Sequence, residues 1–216
     1  MSVYLLDKRI IAFPPVEEGE KNGLLAIGGD LSKERLLLAY KNGIFPWYNE
    51  GDPIMWWCPL ERFVIIPKEI RVSKSMKKFM KKTDLKVTFN RDFRGVMHNC
   101  RIMREFNEGT WITDDMELAY NNLHKEGFAQ SCEVWQGDNL VGGLYGVSIG
   151  KCFFGESMFS KKENASKLAL IMLAENLTEL DFQFIDCQFH TKHLERMGGR
   201  FMPYNEYIER IRRGIL

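Results

Sequence analysis

Asp186-Cys187-Gln188 lies inside the apolar string FQFIDCQF. If that string is a strand, Asp186 and Gln188 share one face, with Ile185, Cys187 and Phe189 on the other. A carboxylate and an amide side by side in apolar surroundings are costly unless partnered. They are therefore candidates for drawing off a proton and for orienting a nucleophile or a carbonyl. A buried structural hydrogen-bond pair is an equally good reading. Glu156, in Gly155-Glu156-Ser157-Met158-Phe159-Ser160, has the charge to hold an ammonium group. The helix start that follows, near residues 160–164, could hold a phosphate, unless Ser160 or Asn164 is only a cap. Trp47, Trp56 and Trp57, with Tyr48 beside them and Trp111 further on, could stack on an unpaired base, wall an apolar slot, or fasten a small lobe to a sheet.

Other chemistries are poorly represented. His98, His124, His190 and His193 have no metal-ligand spacing, although His190 and His193 follow Gln188 closely enough for a hydrogen-bonding role. Cys58, Cys100, Cys132, Cys152 and Cys187 form no CxxC pair, and an odd, scattered set suits a reducing compartment. Gly142, Gly143 and Gly146 hint at close approach of another group within a strand. They make neither a triphosphate-binding nor a dinucleotide-binding loop.

Charge is distributed unevenly. Between Arg62 and Arg104 thirteen Lys or Arg face three acidic residues, whereas the whole chain has a formal net charge of +1, so the remainder is acidic. Such separation points to a local polyanion contact. At its centre Lys74, Lys77, Lys78, Lys81 and Lys82 recur with helical spacing on one face, with Met76, Phe79 and Met80 opposite. A solvated surface helix is the bland alternative. No duplex-reading motif accompanies the lysines.

These groups need positioning elements. A chain of 216 residues, 45% hydrophobic and 27% charged, is an ordinary globular chain of one domain or one domain and a smaller lobe. No apolar run approaches the ~18–20 residues of a membrane span. The opening MSVYLLDKRIIAF is a poor signal peptide. Residues 1–60 read as a small lobe: an irregular, proline-punctuated start, a Gly28-Gly29-Asp30 turn, then a helix over 33–42 capped by Ser32 and ended by Gly43. Beyond it the patterns predict a strand over 63–66, the basic helix within 72–82, a helix over 91–103, and one from Asp114 to Lys125 with an Asp114/Glu117 capping box. Three strands follow within 129–159, then an amphipathic helix over 165–180 built on Leu168, Ile171, Met172 and Leu177. The late strand, a short helix or turn, and a C-terminal amphipathic segment complete an α+β sheet domain over 61–216.

Several strings taken together then become informative. FPPVEEGEKNGLLAIGGDLSKERLLLAYKNGIFPWY, DPIMWWCP, SKSMKKFMKK, EGTWIT, AYNNLHKEG, LVGGLYGV, FFGESMFS, ENASK and FIDCQ, in this order, resemble the leucyl/phenylalanyl-tRNA–protein transferase family. The resemblance implies transfer of Leu or Phe, with Met also considered, from aminoacyl-tRNA to proteins with an N-terminal Arg or Lys, marking them for N-end-rule degradation. It implies an acetyltransferase-like C-terminal mixed-sheet domain, a small N-terminal α/β domain, a cytoplasmic monomer, and no cofactor or metal. Carried over residue by residue, it makes Asp186 and Gln188 the activating pair. Trp47, Trp111, Tyr120, Leu144, Phe153, Glu156 and Met158 become the aminoacyl and adenosine pocket, Leu144 replacing the Met of some members. The five lysines become the grip on the acceptor stem. Glu17–Glu20 or Asp114–Asp115 are candidates to meet the acceptor's basic side chain. An acetyl-CoA-dependent N-acetyltransferase on the same fold is the rival, but SKKENASK stands where its pyrophosphate loop would be.

Overall fold

The computed structural model describes residues 3–105 and 110–215. The chain begins with β1 (Tyr4–Leu6) and β2 (Leu24–Gly28), which pair in parallel. Then come α1 (Lys33–Lys41), β3 (Phe45–Pro46) and β4 (Met55–Trp57), giving a small sheet of order β1-β2-β4-β3. Sequence patterning did not predict β1 or β2, because three to five residues are too few to show alternation. The Gly-Gly-Asp turn has a specific task. Gly29, at φ +73°, lies against the buried Arg35 guanidinium, and an added Cβ would come within 3.1 Å of it. Arg35 donates from Nη2 to the carbonyls of Asp7 and Ile10, at 2.8 and 3.0 Å, tying the N-terminal segment to α1. Ser32 occupies the N-cap as predicted, but its side chain makes no capping bond.

The larger sheet begins with β5 (Glu61–Ile65). After it come α2 (Lys74–Lys82), β6 (Lys86–Phe89), α3 (Phe93–Glu105) and α4 (Asp114–Lys125). The antiparallel meander is β7 (Ala129–Gln136), β8 (Asn139–Ile149) and β9 (Cys152–Ser160). Next are α5 (Ala165–Glu179), β10 (Phe184–Asp186), α6 (Lys192–Arg196), β11 (Arg200–Pro203) and α7 (Tyr204–Ile215). The strand order is β11-β5-β10-β9-β8-β7-β6, and β9 and β10 are parallel while the other neighbours are antiparallel. The α+β class is thus as expected. The edge strands β6 and β11 were not, being short and irregularly patterned.

Side chains alternate across this sheet as period two requires. Leu144, Phe153 and Ile185 face α5 and the Met76 side of α2, whereas Tyr145, Phe154 and Phe184 face α3, α4 and α7. The core on the Tyr145 and Phe154 face also takes in Leu25 and Trp56 of the small sheet and Leu36 of α1, so one apolar cluster runs through both sheets.

Three local expectations need correction. The cap of α4 is Thr113, whose hydroxyl accepts from Met116 N; Thr113 holds the extended backbone a cap needs, while Asp114 is already helical. The α5 helix is not simply amphipathic. Ala165, Leu168, Ala169, Leu170, Ile171, Leu173, Ala174 and Leu177 are all buried, because the helix sits deep between the sheet and α2. The meander glycines admit other parts of this chain: a Cβ at Gly142 would meet that of Ala165 at 2.5 Å, and one at Gly146 the Phe154 carbonyl at 2.2 Å. Finally, Glu108 and Gly109 of the EGTWIT string lie outside the described residues.

Candidate active site

The parallel partners β9 and β10 stay in register only from Cys152 to Phe154, opposite Phe184 to Asp186. There β10 stops, while β9 continues through Glu156 and Met158 with one edge uncovered. A cavity of about 450 Å³ opens where the strands part. Leu144, Phe153 and Ile185 from the sheet, with Leu170 and Leu173 from α5, form its apolar floor. Trp47, Trp111 and Phe189 stand among its remaining walls.

The reason β10 stops is Asp186 itself. Its Oδ1 accepts the backbone N–H of Gln188 at 2.8 Å, an Asx turn, and Gln188 takes φ +61°. The strand alternation therefore breaks, and Asp186 and Gln188 do not share a face as the period predicted. The Asp186 carboxylate is fully buried. Its Oδ2 accepts from Arg62 and, at 2.7 Å, from the Tyr207 hydroxyl. Arg62 is also inaccessible to solvent, donates to the Gly43 carbonyl at 2.7 Å, and lies between the rings of Phe45 and Tyr207, 4.9 Å from each centroid. The neighbouring carboxylate more than offsets the cost of burial and holds the Arg62 guanidinium above its usual range. Tyr207 stays a neutral donor, since burial drives its hydroxyl well above the ordinary phenol value.

Gln188 turns its side chain the other way. Its Nε2 donates to Glu156 Oε1 at 2.9 Å. The same oxygen accepts from Tyr40 at 2.8 Å, and Tyr120 reaches Oε2 at a long 3.4 Å. Tyr40 and Tyr120 also share a short hydroxyl–hydroxyl bond. Glu156 is only 7% exposed, and burial pushes its carboxyl up to about 7, the three hydrogen bonds and the nearby Asp186 charge being smaller influences. Near neutral pH it is poised between its two forms, with Oε2 the less occupied oxygen.

Of the residues singled out in the sequence, Trp47, Trp111, Leu144, Phe153, Glu156, Met158, Asp186 and Gln188 all line this cavity. Tyr120 does not; it is buried behind Glu156 because α4 turns it into the core. The tryptophans divide between the readings. Trp56 is fully buried and bonds the Gly28 carbonyl, whereas Trp47 is 41% exposed and packs against Phe189 and Trp57, each at 5.5 Å. Sequence reasoning missed Arg62, Tyr207 and Tyr40. Arg62 was hidden among the charges of its segment, Tyr40 read only as part of the apolar face of a helix, and Tyr207 carried no reading of its own within the C-terminal amphipathic segment. Asn164 holds the N-cap position of α5 without a side-chain capping bond, and the Ser160 hydroxyl, at the end of β9, accepts from Ser166 N at 3.2 Å instead. Lys74, Lys77, Lys78, Lys81 and Lys82 are exposed on α2, and among the described residues none has an ion-pair partner.

Comparison with known proteins finds relatives along most of the chain. A family profile described as leucyl/phenylalanyl-tRNA protein transferase matches residues 64–212, and one for the N-terminal domain of the same family matches residues 29–60. A leucyl/phenylalanyl-tRNA–protein transferase of Syntrophus aciditrophicus is 52% identical over 208 residues, covering 96% of this chain and 87% of the relative. One from Flavobacterium johnsoniae is 52% identical over 207 residues, covering 95% and 97%. Among solved structures, an aminoglycoside acetyltransferase from a soil metagenome matches with a TM-score of 0.38 at 14% identity, over 61% of this chain and 86% of that one.

Proposed function

This chain belongs to the leucyl/phenylalanyl-tRNA–protein transferase family and is a transferase; from that premise we propose that it moves Leu or Phe, with Met a third donor, from aminoacyl-tRNA to the α-amine of proteins beginning with Arg or Lys. The reaction marks those proteins for N-end-rule degradation in the cytoplasm. The enzyme works as a monomer, with residues 1–60 and 61–216 as its two domains, and the reading calls on no metal or cofactor. The observation that carries it is the cavity, apolar at its floor with Glu156 and Gln188 beside the floor residues.

The donor side chain enters among Leu144, Phe153, Leu170, Leu173 and Ile185, and the terminal adenine lies against Trp47, Trp111 and Phe189. Glu156 Oε2 accepts the donor's α-ammonium. The acceptor amine, with pKa ~7.7–8.0, is substantially deprotonated at neutral pH. Gln188 has no protein donor at its side-chain oxygen among the described residues, so that oxygen can take an amine N–H and aim the nitrogen lone pair at the ester carbon. The N–C bond forms, the ester C–O bond breaks, and the amine proton passes to the departing ribose oxygen. Asp186, with both oxygens engaged, acts by holding Gln188 in place and by its charge, so orientation contributes much of the rate.

The direct test is transfer of radiolabelled leucine from Leu-tRNA to an Arg-initiated peptide, beside a parallel reaction with labelled acetyl-CoA. Incorporation that vanishes when the peptide α-amine is blocked supports the reading; acetyl transfer alone overturns it. Leu144→Trp should narrow the floor and lower Phe transfer about tenfold more than Leu transfer, since a misfit of this kind is worth ~1–3 kcal/mol. Equal loss of both would remove Leu144 from the specificity wall. Charge reversal at Lys78 and Lys82 should weaken tRNA binding and flatten its log–log salt slope by about two. An unchanged slope would place the RNA elsewhere.

A further inference from the structure

A second cavity, of about 330 Å³, lies between the α2 N-terminus, the start of α5 and α6. Arg71, Lys167, Arg196 and His193 line it, with Ser73, the N-cap of α2, and Ser75 in its first turn. Glu163, exposed and turned toward Asn164 at 3.4 Å, is its one acidic lining group. Neither Arg71 nor Arg196 forms an ion pair among the described residues, and Lys167 bonds only the Asn164 side-chain oxygen, at 3.1 Å. Four cationic or protonatable groups converging in a concave space repel one another unless an anion joins them. The wall is firmly set. Arg71 N donates to the Met197 carbonyl at 2.8 Å, and Gly198, at φ +101°, lies so close that a Cβ there would come 2.9 Å from the Glu69 carbonyl and 3.4 Å from the Arg71 side chain. His193 experiences the local field: burial first, then the charges of Lys167 and Arg196, depress its basicity.

The position of this cavity is informative. His193 also lines the active-site cavity, so the two spaces adjoin. On its other side the cavity borders the first turn of α2, from which the five unpaired lysines continue. A path of positive charge thus joins the exposed lysine face to the candidate site.

We propose that the second cavity binds a backbone phosphate of the single-stranded 3′ end of the donor RNA, between the aminoacyl-adenosine in the active site and the stem gripped by α2; the inference rests on the aminoacyl-tRNA reading above. A phosphodiester fits the site because Arg71 and Arg196 supply forked N–H donors and the α2 serines supply hydroxyls. The acceptor, whose N-terminal residue is itself cationic under that reading, would be repelled here and approaches from another side.

The test uses the full chain and the double variant Arg71→Ala/Arg196→Ala, both positions being exposed and outside the reacting groups. Two donors are compared, aminoacyl-tRNA and a 3′-O-aminoacyl adenosine carrying no phosphate. The KM for aminoacyl-tRNA should rise about tenfold or more, in keeping with charge-assisted hydrogen bonds, and the salt slope should fall by about one. Transfer from the phosphate-free donor should not change. An equal loss with both donors, or no change with aminoacyl-tRNA, overturns the proposal. Affinity for uncharged tRNA is measured alongside. If the wild type transfers from neither donor, the functional reading fails, while a tRNA affinity that falls in the variant still upholds the cavity and one that does not fall overturns it.

Discussion

Asparagine at position 186 is expected to cost the protein about 3–5 kcal/mol of stability, the usual penalty for stranding a buried charge, and at least a hundredfold in kcat. The carboxylate has two oxygens with separate tasks: Oδ1 takes the Gln188 amide, and Oδ2 takes Arg62 and Tyr207. An asparagine has one acceptor oxygen. Whichever way the amide turns, either the Asx turn is lost or an NH₂ group faces the Arg62 guanidinium. In the first case Gln188 leaves its left-handed conformation and its bond to Glu156, and a displacement of ~1 Å at a positioning group costs about 10²-fold. In either case the buried cation has lost its counter-charge. Denaturant midpoints and single-turnover transfer read the two losses separately. Adding Arg62→Met to Asp186→Asn should recover much of the stability, since removing both charges is often near neutral, and little of the activity. Full loss of turnover with an unchanged denaturation midpoint would instead make Asp186 a direct proton acceptor and sink the positioning role.

Glu156→Gln should move stability and activity in opposite directions. Burial raises the folded-state value of Glu156 to about 7, against ~4.3 for an unperturbed glutamate. Between those values the native state holds a proton that the unfolded chain has released. Stability therefore falls as pH rises through the window, and the full penalty is present above it. Gln carries no such penalty. The variant should be more stable than the wild type at pH 8 by about 3 kcal/mol, with a smaller relative gain near pH 4.5, as urea titrations across that range will show. Parallel pH profiles for the two proteins would refute the assignment. Activity should drop about a hundredfold in kcat/KM, because the ammonium partner has gone. The rising limb of the wild-type profile near pH 7 should also shift upward in the variant, leaving the acceptor amine, with its pKa of ~7.7–8.0, to define it.

Much of this site could be read from the sequence because its residues are close in the chain. Glu156 and Met158 alternate along one strand, Phe153 lies beyond a register shift in the same strand, and Gln188 stands two residues after Asp186, which ends the next. What the sequence could not show was the consequence of Asp186 bonding its own backbone two residues on, which halts β10 and redirects Gln188. Period-two reasoning assumes that the strand continues. Nor could it show that Arg62, Tyr40 and Tyr207, from three distant parts of the chain, satisfy the two buried carboxylates. An arginine in a basic stretch and tyrosines on amphipathic helices carry no signal of their own. The five lysines were legible because helical spacing alone puts them on one face. The cavity beside them was not, since Arg71, Lys167 and Arg196 are far apart in sequence.

Arg62 touches both sheets at once. It reaches the Gly43 carbonyl and the Phe45 ring on the small-lobe side, and Asp186 and Tyr207 on the other. A local opening that peels the lobe away would leave its guanidinium and the Asp186 carboxylate stripped of their shared surroundings. Amide hydrogens at Cys187 and Gln188, bonded to the Phe63 carbonyl and to Asp186, should therefore exchange with solvent as slowly as those of the deepest strands. The reaction centre then belongs to a single cooperative folding unit spanning both sheets. Under the proposed reading, spent tRNA would then leave by simple dissociation from a standing cavity, with no partial melting of one lobe to release it.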